Sequence, residues 1–223
     1  MTGSSSGIGL AIARELLGQG WQVIGLDRDA PCLESAAFTP VQVDLADAAS
    51  LGAVLPGLPA AQALVHAAGV MRVGRLGALD AAAGEEMWRV HVEAAVRLAD
   101  RLAPEMARAG RGRIVLVGSR VARGVAGRSQ YAATKAALVA LARSWAAELA
   151  PKGVTVNVVS QAATDTGMLH DASRVEERPR VTPMGRLIRP EEVASLTMYL
   201  LSPAAAAVTG QDVQVCGGAS VEA

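Results

Sequence analysis

The chain has 223 residues, with 21 basic and 21 acidic side chains and a formal net charge of zero. This balance predicts no attraction to a polyanion, and an aromatic content of 3% argues against a stacking platform for nucleic acid. No apolar run approaches membrane-spanning length, and the two cysteines lack metal-site spacing. We therefore expect one cytoplasmic domain over residues 1–223, with no nucleic acid, membrane or metal as partner.

The segment Thr2–Gly9 places glycines in the pattern Gly-x-x-x-Gly-x-Gly, directly before a helical pattern that runs from Ile8 to about Leu17. Glycines let the backbone approach a pyrophosphate closely, and a helix N-terminus favours its negative charge. Such a loop ordinarily follows a β-strand, but only Met1 precedes it here. We expect either that the sequence begins too late or that something replaces this strand. Unless something replaces it, the chain as given should be poorly stable.

An acidic residue, Asp27, follows the apolar run Gln22–Leu26, which has the character of a strand. A carboxylate about 20 residues beyond a glycine loop accepts hydrogen bonds from the ribose hydroxyls of adenosine and repels a 2′-phosphate. The alternative is an ordinary turn residue at a strand end. Arg28 is the neighbouring group that can bind a phosphate instead.

The middle of the chain predicts two short strands and a long helical region. The strands cover Val41–Val43 and Ala63–Val65, and the helical region covers Leu79–Ala109 with a break near Gly84. This helical region carries His91.

The apolar run Ile114–Val117 predicts a buried strand that delivers Ser119 at its C-terminal end. A glycine-rich loop then leads into a helix, ending near Leu149, that carries Tyr131 and Lys135. These two side chains share one helix face because they are four residues apart. The ammonium favours the phenolate and so lowers the pKa of the phenol. Together with the hydroxyl of Ser119, the pair predicts a proton-transfer site.

The C-terminal third predicts strands over Val154–Val159 and Gly210–Cys216. Pro190 starts the last helix, with proline and acidic residues in the first turn as helices prefer. The intervening segment 170–187 is polar, irregular and rich in arginine.

The glycine loop Thr2–Gly9, Ser119 and the pair Tyr131-x-x-x-Lys135 together resemble the short-chain dehydrogenase/reductase family. The resemblance covers the whole chain except the first strand. It implies a single Rossmann-like α/β domain, a doubly wound parallel sheet with helices on both faces. It also implies reversible hydride transfer between NAD and a secondary alcohol or ketone, and a homo-oligomer, either a dimer or a tetramer.

The resemblance also implies roles for individual residues. Ser119 orients the substrate oxygen, Tyr131 is the general acid and base, and Lys135 supports the phenol and binds the nicotinamide ribose. His91 stands where the family carries a catalytic asparagine that holds a relay water, and it suits that role or simple packing. Asp44 suits contact with adenine or capping of the next helix equally well. The implied cofactor-binding residues are Gly3, Ser5, Gly7, Ile8, Gly9, Asp27, Asp44, Leu45, Ala68, Gly69, Tyr131, Lys135 and Thr166.

Besides the missing first strand and His91, two pairs of residues depart from the family pattern. His66-Ala67 replaces a pair of asparagines, and Gln161-Ala162 replaces a Pro-Gly pair. These departures leave open a second hypothesis, a non-catalytic NAD sensor or scaffold protein on the same fold. In the family, the segment 170–187 covers the substrate, and its short length here implies a small or medium-sized one.

Overall fold

The computed structural model describes residues 1–170 and 181–221. Within them the strands are β1 (Val23–Asp27), β2 (Phe38–Gln42), β3 (Ala63–His66), β4 (Gly112–Val117), β5 (Val154–Gln161) and β6 (Asp212–Val215). The α-helices are α1 (Gly7–Gly18), α2 (Ala48–Val54), α3 (Ala81–Trp88), α4 (Ala94–Arg108), α5 (Ser129–Leu149) and α6 (Pro190–Leu201). A π-helical turn, Arg89–Glu93, joins α3 to α4.

All strand pairs are parallel, and the order across the sheet is β2-β1, then the N-terminal residues, then β3-β4-β5-β6. β4 and β5 are rich in β-branched residues and almost wholly buried, as central strands covered on both faces should be. Helices α1 and α6 pack on one face and α4 and α5 on the other, each over its own apolar core. The predicted doubly wound α/β fold is confirmed.

The first three residues occupy the position between β1 and β3. Thr2 forms a parallel bridge to Leu26 on one side and to His66 on the other. The amino group of Met1 donates to the carbonyl of Ile24 at 2.6 Å. Burial lowers the pKa of this amino group from 8.0 to about 5, because water no longer stabilises its charge. The sheet is therefore continuous at this point through one bridging residue on each side.

Two predicted elements differ from the structure. The predicted strand Val41–Val43 starts earlier, at Phe38, and includes Pro40; β2 lies at the edge of the sheet, where a missing N–H is tolerated. The predicted break near Gly84 is wrong, since α3 continues through it to Trp88. The irregularity is the π-helical turn that follows. Within the described residues, no helix is both long and apolar enough to cross a membrane.

Candidate active site

A cleft of about 1190 Å³ opens beyond the carboxyl ends of the strands. Pockets for drug-sized ligands measure roughly 300–1,000 Å³, so this one has room for a dinucleotide and a small substrate. Ser5 and His91 do not line it; Ser5 borders a smaller neighbouring cavity, and His91 is fully buried behind the wall. The predicted site residues that line the cleft are Gly3, Gly7, Ile8, Gly9, Asp27, Asp44, Leu45, Ala68, Gly69, Ser119, Tyr131, Lys135 and Thr166.

The glycine loop is packed so closely that side chains are excluded at two positions. Gly3 has φ of +70°, and a Cβ added there would lie 2.7 Å from the backbone nitrogen of Ala68. A Cβ on Gly9 would overlap the carbonyl oxygen of Gly3. The loop leads into the N-terminus of α1 at Gly7, where backbone N–H groups and the helix dipole face the cleft. This cradle fits the pyrophosphate of a dinucleotide.

The carboxylate of Asp27 is fixed at the end of β1 by two backbone groups. Its Oδ2 accepts a hydrogen bond from the N–H of Ser5 at 2.8 Å, and its Oδ1 accepts one from Asp29 at 3.1 Å. Each carboxylate oxygen has a further lone pair, so the group can still accept from ribose hydroxyls. Arg28 also lines the cleft, and its guanidinium lies 3.9 Å from Asp29.

Asp44 borders the cleft and does not cap a helix. Its Oδ1 accepts from the N–H of Ala46 at 2.8 Å, which makes a local turn. The cap of α2 is Asp47, whose side chain accepts from Ala49. The adjacent Leu45 is buried in the core and contributes an apolar wall to the cleft.

Ser119, Tyr131 and Lys135 converge in the cleft and are each at least 94% buried, with exposed fractions of 6%, 6% and 3%. Ser119 follows the end of β4, and its Oγ accepts from the N–H of Val121 at 3.2 Å. The hydroxyl hydrogen of Ser119 takes no part in this bond and can be donated to another acceptor. The Lys135 Nζ lies 5.8 Å from the centre of the Tyr131 ring and donates to the Val117 carbonyl at 2.9 Å.

Burial lowers the pKa of Lys135 from 10.5 to about 7 in the ligand-free protein. The cause is desolvation, which penalises an ammonium in an apolar environment. Because this pKa lies close to neutral pH, the protonation state of Lys135 changes readily when a negative or hydrogen-bonding partner enters the cleft.

His91 has both ring nitrogens in hydrogen bonds to protein groups. Nε2 accepts from the N–H of Val70 at 3.0 Å. Nδ1 lies 2.8 Å from Thr134 Oγ1, which itself donates to the Tyr131 carbonyl, so Nδ1 carries the hydrogen and donates to Thr134. Burial and the charge of Lys135 lower the pKa of His91 well below 6.5. The ring is therefore neutral and connects the loop after β3 to α5, which favours the packing role over the relay role.

Thr2 and His66 form a second buried pair that the sequence does not predict. Thr2 Oγ1 accepts from the N–H groups of Ala67 and Ala68, both at 3.1 Å, so its hydrogen is donated to His66 Nδ1 at 3.0 Å. His66 Nε2 then carries a hydrogen, and it makes no well-aligned hydrogen bond to any described residue. Burial, and secondarily the charge of Lys135, lower the pKa of His66 from 6.5 to about 3.

The wall opposite the glycine loop follows β5. Thr166 packs against the start of α1, since a Cβ on Gly7 would approach its Cγ2 to 3.3 Å. Gln161 also lines the cleft, and its Oε1 is buried without a hydrogen-bond donor among the described residues. An acceptor without a donor on this wall fits an amide NH₂ of a ligand.

The predicted substrate-covering segment, 170–187, is only partly described. Residues 171–180 lie outside the described residues, while Val181 and Thr182 line the cleft. Among residues 1–170 and 181–221, no group of three or more His, Cys, Asp or Glu side chains is arranged to hold a metal ion.

Known proteins are similar to this chain over nearly its whole length. The family model described as enoyl-(acyl carrier protein) reductase matches residues 3–220. The 2,3-dihydro-2,3-dihydroxybenzoate dehydrogenase of Escherichia coli K12 is 35% identical over 240 residues, covering 100% of this chain and 96% of that protein. The 3-oxoacyl-[acyl-carrier-protein] reductase FabG of Vibrio cholerae is 34% identical over 236 residues, covering 98% and 95%.

The solved structure of a short chain dehydrogenase/reductase family protein superposes with a TM-score of 0.91 at 34% identity, covering 99% of this chain and 96% of that one. The sequence and structural similarity thus extend over the same nearly complete length. This chain belongs to the short-chain dehydrogenase/reductase family of oxidoreductases.

Proposed function

We propose that this protein transfers a hydride between NAD(H) and a secondary alcohol or ketone. The observation that carries the proposal is the convergence of Ser119, Tyr131 and Lys135, all buried, in a cleft that begins at the glycine loop. Two of the relatives, a 2,3-dihydro-2,3-dihydroxybenzoate dehydrogenase and a 3-oxoacyl-[acyl-carrier-protein] reductase, have names consistent with alcohol and ketone chemistry. A sensor without catalysis would have no need for these three side chains.

Each of the three residues has a role that its contacts permit. The Tyr131 hydroxyl exchanges a proton with the substrate oxygen. The Ser119 hydroxyl donates a hydrogen bond to the same oxygen, since its own oxygen already accepts from Val121. The Lys135 ammonium has two N–H groups beyond the one bonded to Val117, and these serve the nicotinamide ribose and the phenol oxygen. The nicotinamide itself, when bound, supplies or accepts the hydride.

The other proposed binding residues lie along the length of the cofactor. Gly3, Gly7 and Gly9 hold the pyrophosphate, and Asp27 accepts from the adenosine ribose. Asp44, Leu45, Ala68 and Gly69 border the adenine side and the middle of the dinucleotide. Thr166 and the unpaired Oε1 of Gln161 bind the carboxamide of the nicotinamide.

We infer NAD rather than NADP because the fixed carboxylate of Asp27 repels a 2′-phosphate. Titration of the protein with NADH and with NADPH, followed by cofactor fluorescence, tests this inference. We expect NADH to bind at least about tenfold more tightly, since each 1.4 kcal/mol of repulsion or lost hydrogen bonding is a factor of ten. Asp27→Ala should remove the preference, while Asp29→Ala, a neighbouring acid on the same cleft, should retain it. Equal binding of both cofactors by the unaltered protein would refute the assignment.

We also propose a homo-oligomer, a dimer or tetramer, in the cytoplasm. Trp88, Val96 and Tyr199 are 49%, 37% and 46% exposed on helices, and large exposed apolar side chains of this kind favour association. Cys32 and Cys216 are free thiols, which suits a reducing compartment. Sedimentation equilibrium gives the mass directly, and a monomer at micromolar concentration would contradict the proposal.

A further inference from the structure

The two ends of the cleft carry opposite charge. The end that follows β1 and β2 is lined by Asp27, Asp29 and Asp44, with Arg28 among them. We call the other end, lined by residues that follow β3, β4 and β5, the substrate end. The basic residues that line this end are four arginines and Lys135, and the described residues there include no Asp or Glu. The arginines at the substrate end are Arg72, Arg75, Arg120 and Arg128.

Arg120 is the arginine closest in the chain to the reacting groups, directly after Ser119. It is half-buried, and its Nη1 donates to the carbonyl of Ala219 at 3.3 Å. A guanidinium has five N–H donors, and within the described residues Arg120 forms no salt bridge. No described carboxylate therefore neutralises its charge, although the side chain is partly removed from water.

A second arginine is held at the same end by a contact between two loops. The N–H of Gly74 donates to the Gly127 carbonyl at 2.9 Å, which joins the loop after β3 to the loop before α5. Arg75 follows on the first loop and lies against Gly127, with no carboxylate partner in the described structure. Arg72 differs, because both oxygens of Glu86 pair with its guanidinium, at 3.1 and 3.2 Å.

We propose that the substrate carries an oxyanion, a carboxylate or a phosphate, and that Arg120 binds it while Arg75 adds attraction at the rim. A planar guanidinium matches both anions in charge and geometry. Arg75 and Arg120, which have no carboxylate partner among the described residues, raise the local concentration of anionic ligands in this partly desolvated cleft. This inference rests on the proposed function for the statement that the bound anion belongs to the substrate.

The first test measures binding, with and without saturating NADH, by isothermal titration. The probes are cyclohexanecarboxylate, its neutral counterpart cyclohexanecarboxamide, and inorganic phosphate. We expect the carboxylate or the phosphate to bind at least about tenfold more tightly than the amide, as for a charge-assisted hydrogen bond. Whichever anion binds more tightly identifies the group.

Arg123 provides the matched control. It lies on the same turn, and its Nη1 donates to the neighbouring tail carbonyl of Ser220 at 3.2 Å, but it does not line the cleft. Arg120→Gln should abolish the preference for the anion, Arg120→Lys should keep part of it, and Arg123→Gln should leave it intact. Failure of both the carboxylate and the phosphate to bind more tightly than the amide, or the same loss in Arg120→Gln and Arg123→Gln, would overturn the proposal.

The second test separates this proposal from the proposed function. Turnover with NAD is compared for 3-hydroxycyclohexanecarboxylate and its carboxamide. Faster turnover of the acid at low concentration, with KM raised in Arg120→Gln and kcat little changed, supports both proposals. Turnover of the amide at equal kcat/KM overturns the anion proposal alone. If neither compound reacts and NADH does not bind, the proposed function fails, while the anion titrations of the Arg120 and Arg123 variants still decide for or against the arginine site.

Discussion

At the scale of single residues, His91 shows how a side chain contributes without touching the cleft. Its neutral ring accepts from Val70 and donates to Thr134, and Thr134 in turn holds the carbonyl of Tyr131. The ring of His91 also meets the Tyr131 ring edge to face, with centroids 5.6 Å apart. These contacts fix the loop after β3 relative to the first turn of α5, and so position Tyr131.

We expect His91→Phe to lower the free energy of unfolding by about 1–3 kcal/mol, because the buried N–H of Val70 and the hydroxyl of Thr134 lose their partner. His91→Asn, which restores a hydrogen-bonding amide, should change kcat much less than loss of the Tyr131 hydroxyl. Urea denaturation and steady-state kinetics measure the two effects. If His91→Asn loses the pH dependence of the rate to the same extent as Tyr131→Phe, the imidazole has a relay role instead.

Residue identities at the site are predictable from sequence where the contacts are local. Tyr131 and Lys135 lie on one helix face because of their spacing, and the family resemblance adds Ser119 at the end of the preceding strand. The pair Thr2 and His66 is separated by 64 residues, and only the sheet order brings them together. Sequence spacing does not predict the role of Asp44 either, because a second acid, Asp47, lies three residues later and is the one that caps α2.

At the scale of secondary structure elements, the N-terminal residues Met1–Gly3 join the two halves of the sheet. Backbone hydrogen bonds run from Thr2 to Val65, from Gly3 to Leu26 and from Leu26 to Met1, all at 2.8–2.9 Å. The Thr2 hydroxyl adds two bonds to the loop after β3. A short segment thus supports both the sheet and the loop that borders the cofactor cleft.

Thr2→Val should destabilise the protein by about 2–4 kcal/mol, because the N–H groups of Ala67 and Ala68 lose their acceptor and His66 loses its donor. Thr2→Ser is the control, since it retains the hydroxyl and should stay within about 1 kcal/mol of the parent. Both values come from chemical denaturation of the ligand-free protein. Equal stability of the valine and serine variants would show that the hydroxyl bonds contribute nothing.

The elements themselves are largely predictable because the apolar runs of a parallel sheet stand out from the surrounding helices. The strand containing Ile114–Val117 and the helix carrying Tyr131 both occur as predicted. Sequence propensity placed the helix break at Gly84, whereas packing places a π-helical turn at Arg89–Glu93. A glycine is tolerated within a helix, and the turn depends on contacts with distant residues that periodicity does not encode.

At the scale of the whole molecule, buried basic groups make stability depend on pH. The pKa falls to about 3 for His66, to about 5 for the Met1 amino group and to about 7 for Lys135, in each case chiefly because of burial. Between the folded and unfolded pKa values, the unfolded chain binds a proton that the folded protein does not. Each group therefore stabilises the fold fully above its unfolded pKa, and that stabilisation is lost as the pH falls toward its folded pKa.

We predict that the free energy of unfolding of the ligand-free protein rises with pH from about 6 to about 9, by up to about 1.4 kcal/mol per pH unit for each group within its window. Below pH 6.5 the rise comes from His66 and His91, up to 8.0 from the amino terminus, and from about 7 to 10.5 from Lys135. Lys135→Met should flatten chiefly the upper part, with a smaller change below pH 6.5 because the lysine charge also lowers the histidine pKa values. A stability that is constant or falls over this range would contradict the burial of these groups.

The central claim, that Tyr131 exchanges the proton during hydride transfer, is tested most directly by Tyr131→Phe. The substitution removes one hydroxyl from a buried ring and leaves the glycine loop, Asp27 and Lys135 in place. General acid–base catalysis contributes about 10²–10⁴-fold, so kcat with NAD and a reactive alcohol should fall by at least about 10²-fold. The NADH dissociation constant should remain nearly unchanged. Turnover close to that of the unaltered enzyme would contradict this account and favour a non-catalytic sensor.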